Sequence, residues 1–160
     1  MKLLRQKQNE PNCLVYSAAM VMNIDPEKIF EITGHRGQEV WWKETTGHQM
    51  LRGFHIQEII NVGLQMGYAL VPYDKYPFSA PDGMHDKARM IDTEYNCEFN
   101  FYHILTKANA ILISSSHAVA WDCVEQKCYD PNGLIYEIKK FKNLWQAWLV
   151  FEIKSKFASY

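Results

Sequence analysis

From Cys13 to Asn23 the chain reads Cys-Leu-Val-Tyr-Ser-Ala-Ala-Met-Val-Met-Asn, apolar on nearly every side. That pattern predicts a helix buried all round rather than one with a solvent face. Asn12, just before it, is a residue type that caps helix N-termini. Asp25-Pro26-Glu27 repeats a start signal, a capping residue then proline at the first helical position, and Gly34 stops the second helix. Ile56, Ile59, Ile60, Gly63 and Leu64 recur at helical spacing. They predict a third helix from Phe54 or His55 to Met66, ended by Gly67, with Glu58 on its solvated face.

Between the second and third helices, residues 34–53 are rich in Gly, Thr and His and read as loop or short turns. The pair Trp41-Trp42 within them reads as a hydrophobic plug or a groove lining. Tyr68–Val71 is the first expected strand. Residues 72–100 hold Pro72, Pro77 and Pro81 among many polar residues and predict no regular element beyond a short helical stretch. Phe101–Lys107 reads as a short helix. From Ala110 the segments become short, apolar or alternating: Ala110–Ser114, His117–Asp122, Lys127–Asp130, Ile135–Phe141 and Trp148–Ile153. Asp130-Pro131-Asn132-Gly133 is a strong turn between two of them. The expected fold is therefore α+β, N-terminal helices packed on a C-terminal antiparallel sheet, in a single domain spanning residues 1–160.

Composition narrows the function classes. The chain is 48% hydrophobic and 22% charged with a net charge of -1, which excludes wholesale disorder and gives no reason to expect a nucleic-acid or anionic-membrane partner. Folding of a chain this size buries roughly 70% of its unfolded surface. No apolar stretch approaches the ~20 residues of a membrane span, and Met1–Arg5 leads into polar residues rather than an apolar export segment. A cytoplasmic location with reduced thiols is the expectation. Cys13, Cys97, Cys123 and Cys128 include no Cys-x-x-Cys pair, and the six histidines have no ligand spacing, so neither a metal nor another cofactor is expected.

One cysteine stands where chemistry would put it. Cys13 opens the buried helix, where unpaired N–H groups and the helix dipole stabilise a thiolate. Gln8, five positions earlier, or Gln6, seven earlier, supplies an amide donor that with the Cys13 backbone N–H would form an oxyanion hole. His117 opens one late strand and Asp130 closes the next. Such an acid fixes the imidazole tautomer while the other ring nitrogen faces a thiol. Taken singly, each of the three residues has a structural explanation; the combination is what carries specificity.

The hairpin register decides whether His117 and Asp130 meet. A tip at Glu125-Gln126 would set Asp130 opposite Trp121, four residues from His117, or roughly 13 Å along a strand. The catalytic register sets His117 directly across from Asp130, with Asp122–Glu125 as a four-residue loop, and is the one expected.

The order Gln…Cys13-Leu-Val-Tyr-Ser-Ala-Ala-Met, His117-Ala-Val-Ala-Trp, Asp130-Pro-Asn-Gly resembles papain-like cysteine peptidases, most closely the small branch related to bacteriocin-processing peptidase domains. The resemblance implies a papain-like α+β fold and thiol-dependent cleavage of a peptide or isopeptide bond in a protein or peptide substrate. Cys13 would be nucleophile, His117 base, Asp130 orienter and Gln8 oxyanion donor. The family's glutamine usually lies six positions before the cysteine, where this chain has Lys7. The same triad also supports acyl transfer to an amine or deamidation, and a catalytically silent relative would serve as a protein-binding module.

Overall fold

The structure, a computed structural model, describes residues 1–43, 49–78 and 85–153. Three helices come first: α1 (Cys13–Met22), α2 (Pro26–Thr33) and, after a two-stranded sheet of β1 (Val40–Lys43) and β2 (Gln49–Leu51), α3 (Ile56–Gln65). β3 (Tyr68–Asp74), α4 (His85–Glu94) and α5 (Cys97–Leu105) follow. The chain then makes β4 (Ala110–Ile113), β5 (Ala118–Asp122), β6 (Lys127–Asp130), β7 (Leu134–Tyr136), a single 3₁₀ turn at Ile138–Lys140, and β8 (Gln146–Glu152). The main sheet has six strands in the order β3-β8-β4-β5-β6-β7, with every neighbouring pair antiparallel. The class is α+β.

Local chemistry explains the helix ends. Asp25 accepts from the Glu27 N–H at 2.9 Å and Pro26 opens α2, while Gly34 closes it at φ +75°. α3 starts with a capping box: His55 accepts from the Gln57 N–H, and Glu58 accepts from the His55 N–H. Glu58 is not the solvated residue its position suggested. Its side chain is 27% exposed and also meets His35 at 2.7 Å and Arg52 at 3.2 Å.

The strands of the sheet centre divide their side chains between two cores. Ile111, Ala118, Ala120 and Tyr129 face α1, whose Val15, Ala18, Ala19 and Met22 are buried against them with Ile29 of α2 and Ile59 of α3. Ala110, Leu112, Val119, Trp121 and Cys128 face the other way, onto Phe101 and Leu105 of α5, and the Trp121 indole donates to the Leu105 carbonyl at 2.7 Å. Burial on both faces explains why β4 and β5 read as continuous apolar runs instead of alternating ones. Complete burial of one such aliphatic side chain contributes about 1.5–3 kcal/mol, so α1 is anchored firmly enough to hold its first residue in place.

Several expectations change. The segment expected to be loop between α2 and α3 carries β1 and β2, and the indole groups of Trp41 and Trp42 lie outside the described residues. The stretch 72–100 contains the end of β3, all of α4 and the start of α5. β3 runs through Pro72, which an edge strand tolerates because one side needs no N–H donor. The expected strand Ile135–Phe141 is instead the three-residue β7 followed by the 3₁₀ turn.

The β5–β6 register matches neither alternative drawn from the sequence. Ala120 pairs with Tyr129, Trp121 with Cys128 and Asp122 with Lys127, so the tip is Cys123–Gln126, not Asp122–Glu125. Asp122 explains the choice. Its Oδ1 accepts from the Val124 and Glu125 N–H groups at 2.9 and 3.0 Å, its Oδ2 meets the Met1 ammonium at 2.8 Å, and Gln126 closes the loop at φ +54°.

Candidate active site

Cys13 is the first residue of α1 and is partly accessible. The residue before it, Asn12, occupies the cap position but makes no capping bond; it is 1% exposed and donates its amide to Glu10 at 3.0 Å. The first-turn N–H groups around Cys13 are thus not consumed by a side-chain cap. They stay available to a developing negative charge.

His117 enters from the sheet. The turn Ser114-Ser115-Ser116-His117 is closed by bonds from the Ser114 N–H to the His117 carbonyl at 2.9 Å and from the His117 N–H to Ser114 Oγ at 3.1 Å. This leaves the imidazole at the end of β5, beside the Phe141 ring. Its Nε2 lies 2.9 Å from Asp130 Oδ1. Donation to Asp130, and then to the Cys13 sulfur, pushes the His117 pKa up to about 9 against the opposing effect of burial. With Nε2 given to Asp130, Nδ1 is the ring nitrogen left for the sulfur.

Asp130 is 5% exposed. Burial alone would raise its pKa, but hydrogen bonds from His117, the Asn132 N–H and the Tyr136 hydroxyl hold the carboxyl below the usual carboxylate range. The distances are 2.9, 2.8 and 2.7 Å respectively. Cys128 lies beneath on β6, its thiol pushed up to about 12 by burial and the Asp130 charge, so it stays neutral.

His117 and Asp130 are therefore joined directly, and Cys13 is close enough to His117 to influence its titration. The two glutamines are placed differently. Gln8 is exposed, in a turn at residues 8–9, and its side chain makes no hydrogen bond among the described residues. Gln6 is tied to the turn that follows Asp130. Its N–H donates to the Pro131 carbonyl at 2.9 Å and its Nε2 to Asn132 Oδ1 at 3.0 Å, while its Oε1 is buried without a partner.

Reading the sequence missed Tyr136 and the Asn132 N–H. Asp-Pro-Asn-Gly already implied that a side-chain oxygen of Asp130 accepts from the backbone two residues on. Tyr136 could be found only by extending the hairpin on the far side of that turn. Among the described residues no group of three or more His, Cys, Asp or Glu could hold a metal ion, and no helix is long and apolar enough to cross a membrane.

Compared with protein-family models, with curated proteins and with solved structures, the chain matches none. The chemistry of the site must be argued from its own atoms.

Proposed function

We propose that the protein is a thiol-dependent hydrolase that cleaves a peptide or isopeptide bond through Cys13, His117 and Asp130. The observation that carries this reading is the imidazole held at 2.9 Å by a buried carboxylate, with the Cys13 sulfur, at a helix N-terminus, near enough to help raise its pKa. A structural histidine has no need of that combination.

In the proposed reaction the Cys13 proton resides on His117, and the thiolate attacks the carbonyl carbon. A C–S bond forms and the carbonyl electron pair moves to oxygen, where the Cys13 backbone N–H meets it. Collapse re-forms the carbonyl and breaks the C–N bond, and the leaving amine takes its proton from the imidazolium. Water then attacks the thioester with His117 as base, releasing the acid and restoring the thiol. Asp130 fixes the tautomer and stays ionised throughout. Gln6, anchored beside the site, has better support as second oxyanion donor than the exposed Gln8.

The test is alkylation by iodoacetamide at about pH 6, where an unassisted cysteine is almost wholly protonated. Cys13 is expected to react at least roughly tenfold faster in the unaltered protein than in His117→Ala. Equal rates would overturn the reading.

A further inference from the structure

The geometry points to Tyr136 as the positioning residue that holds the Asp130 carboxylate in reach of His117, a role that rests on the thiol chemistry proposed above. In the β6–β7 register Asp130 pairs with Leu134 and Cys128 with Tyr136. Tyr136 is thus a diagonal neighbour of Asp130, two residues beyond its direct partner. His117 stands in the same relation on the opposite flank, two residues before the position that the β5–β6 register sets across from Asp130. Diagonal neighbours lie ~7–8 Å apart at the backbone, a span that long or aromatic side chains cross and short ones do not. One carboxylate is therefore gripped from both adjacent strands, by an imidazole and by a phenol.

The division of labour between the two oxygens gives Tyr136 its importance. Oδ1 accepts from both His117 Nε2 and the Asn132 N–H, whereas Oδ2 accepts only from the Tyr136 hydroxyl among the described residues. Without that phenol, Oδ2 would be a buried anionic oxygen with no donor, and the carboxylate would gain by turning toward water. Turning carries Oδ1 away from the imidazole. β7 is the edge strand opposite β3, and its first two residues, Leu134 and Ile135, are 60% and 51% exposed. Tyr136 alone on that strand turns a polar group inward.

Other groups that face the pair do not supply the same hold. The Cys128 thiol on β6 is neutral and makes no bond to the carboxylate. Arg5, from the N-terminal segment, lies against Gly133 and makes no ion pair with Asp130 among the described residues. Cys13 on α1 meets the pair through the imidazole.

The experiment follows the His117 imidazole by nitrogen-15 NMR through its titration in the full-length chain, in four forms: unaltered, Tyr136→Phe, Asp130→Asn and the double variant. Tyr136→Phe removes one oxygen and leaves the ring in place. It is expected to lower the His117 midpoint by roughly one pH unit or more. Asp130→Asn lowers it at least as far, and adding Tyr136→Phe to Asp130→Asn changes nothing further. A Tyr136→Phe midpoint equal to that of the unaltered protein overturns the positioning role and leaves the thiol chemistry standing. An equal fall in both backgrounds overturns it too, because the phenol would then act other than through Asp130. An ordinary midpoint in the unaltered protein would overturn both readings together.

Discussion

His117 and Asp130 meet at 2.9 Å without being cross-strand partners. The hairpin register sets Asp130 across from the position two residues beyond His117, and the imidazole reaches back diagonally. This works because His117 lies just before β5, in the Ser114–His117 turn, where its backbone is free of the ladder. An acid and a histidine in direct opposition would both be committed to strand geometry. The diagonal contact uses Nε2 and so leaves Nδ1 uncommitted to the carboxylate.

The contact makes stability depend on pH in a defined direction. The folded-state pKa of His117, about 9, lies above the ~6.5 of an unfolded histidine. The folded state therefore binds the proton more tightly, and the contribution is complete below ~6.5 and lost as pH rises through about 9. Asp130 has the opposite sign: its carboxyl is held low, so its contribution is present above ~3.9 and lost as pH falls through its depressed value. Urea midpoints of the unaltered protein and His117→Ala should differ most in mildly acidic solution and converge above about pH 9. A gap that widens with rising pH would contradict the ion pair.

How much of this was legible in the sequence varies with the kind of signal. The starts of α2 and α3 were readable because Asp25-Pro26 and the isoleucine spacing act locally. Cys13, His117 and Asp130 were readable as residue types in order. Their geometry was not, since the Cys123–Gln126 tip depends on Asp122 capping two N–H groups and holding the Met1 ammonium, a contact 121 positions away in sequence. α4 was hidden for a different reason: among its described side chains the apolar ones, Met90 at 71% and Ile91 at 37%, are exposed, so they mark no core-facing stripe. Tyr136 was hidden because it lies on a strand of three residues, too short for alternation to show.

Thiol selectivity should follow from burial. Cys97 and Cys128 are buried, and burial raises the thiols of Cys97, Cys123 and Cys128 alike. Sub-stoichiometric iodoacetamide at about pH 6 should therefore label Cys13 almost alone. Peptide mapping by mass spectrometry checks this. Label spread evenly between Cys13 and Cys123 would remove the case for an activated nucleophile.

The two glutamines make separable predictions. If Gln6 donates to the oxyanion, Gln6→Ala should slow acylation of Cys13 by p-nitrophenyl acetate on the order of 100-fold, as loss of one such donor does elsewhere. Gln8→Ala should leave the rate unchanged to within about twofold, as an exposed side chain outside the site would. The reverse ranking would restore Gln8 to the role its sequence position suggested. Alkylation by iodoacetamide, which develops no oxyanion, should be insensitive to both changes and serves as the control.

The segment behind Asn12 depends on a histidine and a glycine that no spacing rule singled out. His35 is 8% exposed; its Nδ1 accepts from the Gly37 N–H at 3.0 Å, so Nε2 carries the proton and donates it to Glu58 at 2.7 Å. The ring stacks on Phe54 at 4.4 Å, and the Gly53 N–H donates to the Gly37 carbonyl at 2.9 Å. Gly37 and Gly34 both have positive φ, +69° and +75°, but differ in the space around them. A Cβ on Gly37 would lie 2.8 Å from the Phe54 ring and 3.0 Å from the Gly53 carbonyl oxygen, while one on Gly34 would meet nothing within 4 Å. Gly34→Ala should therefore cost only the left-handed conformation, about 1–2 kcal/mol. Gly37→Ala should cost that and a further 1–3 kcal/mol or so from overpacking. Chemical denaturation of the two variants isolates the second cost, since the backbone penalty is common to both. Equal losses would mean that the loop yields to the added methyl and that the close approach of residues 37 and 53 is not what secures it.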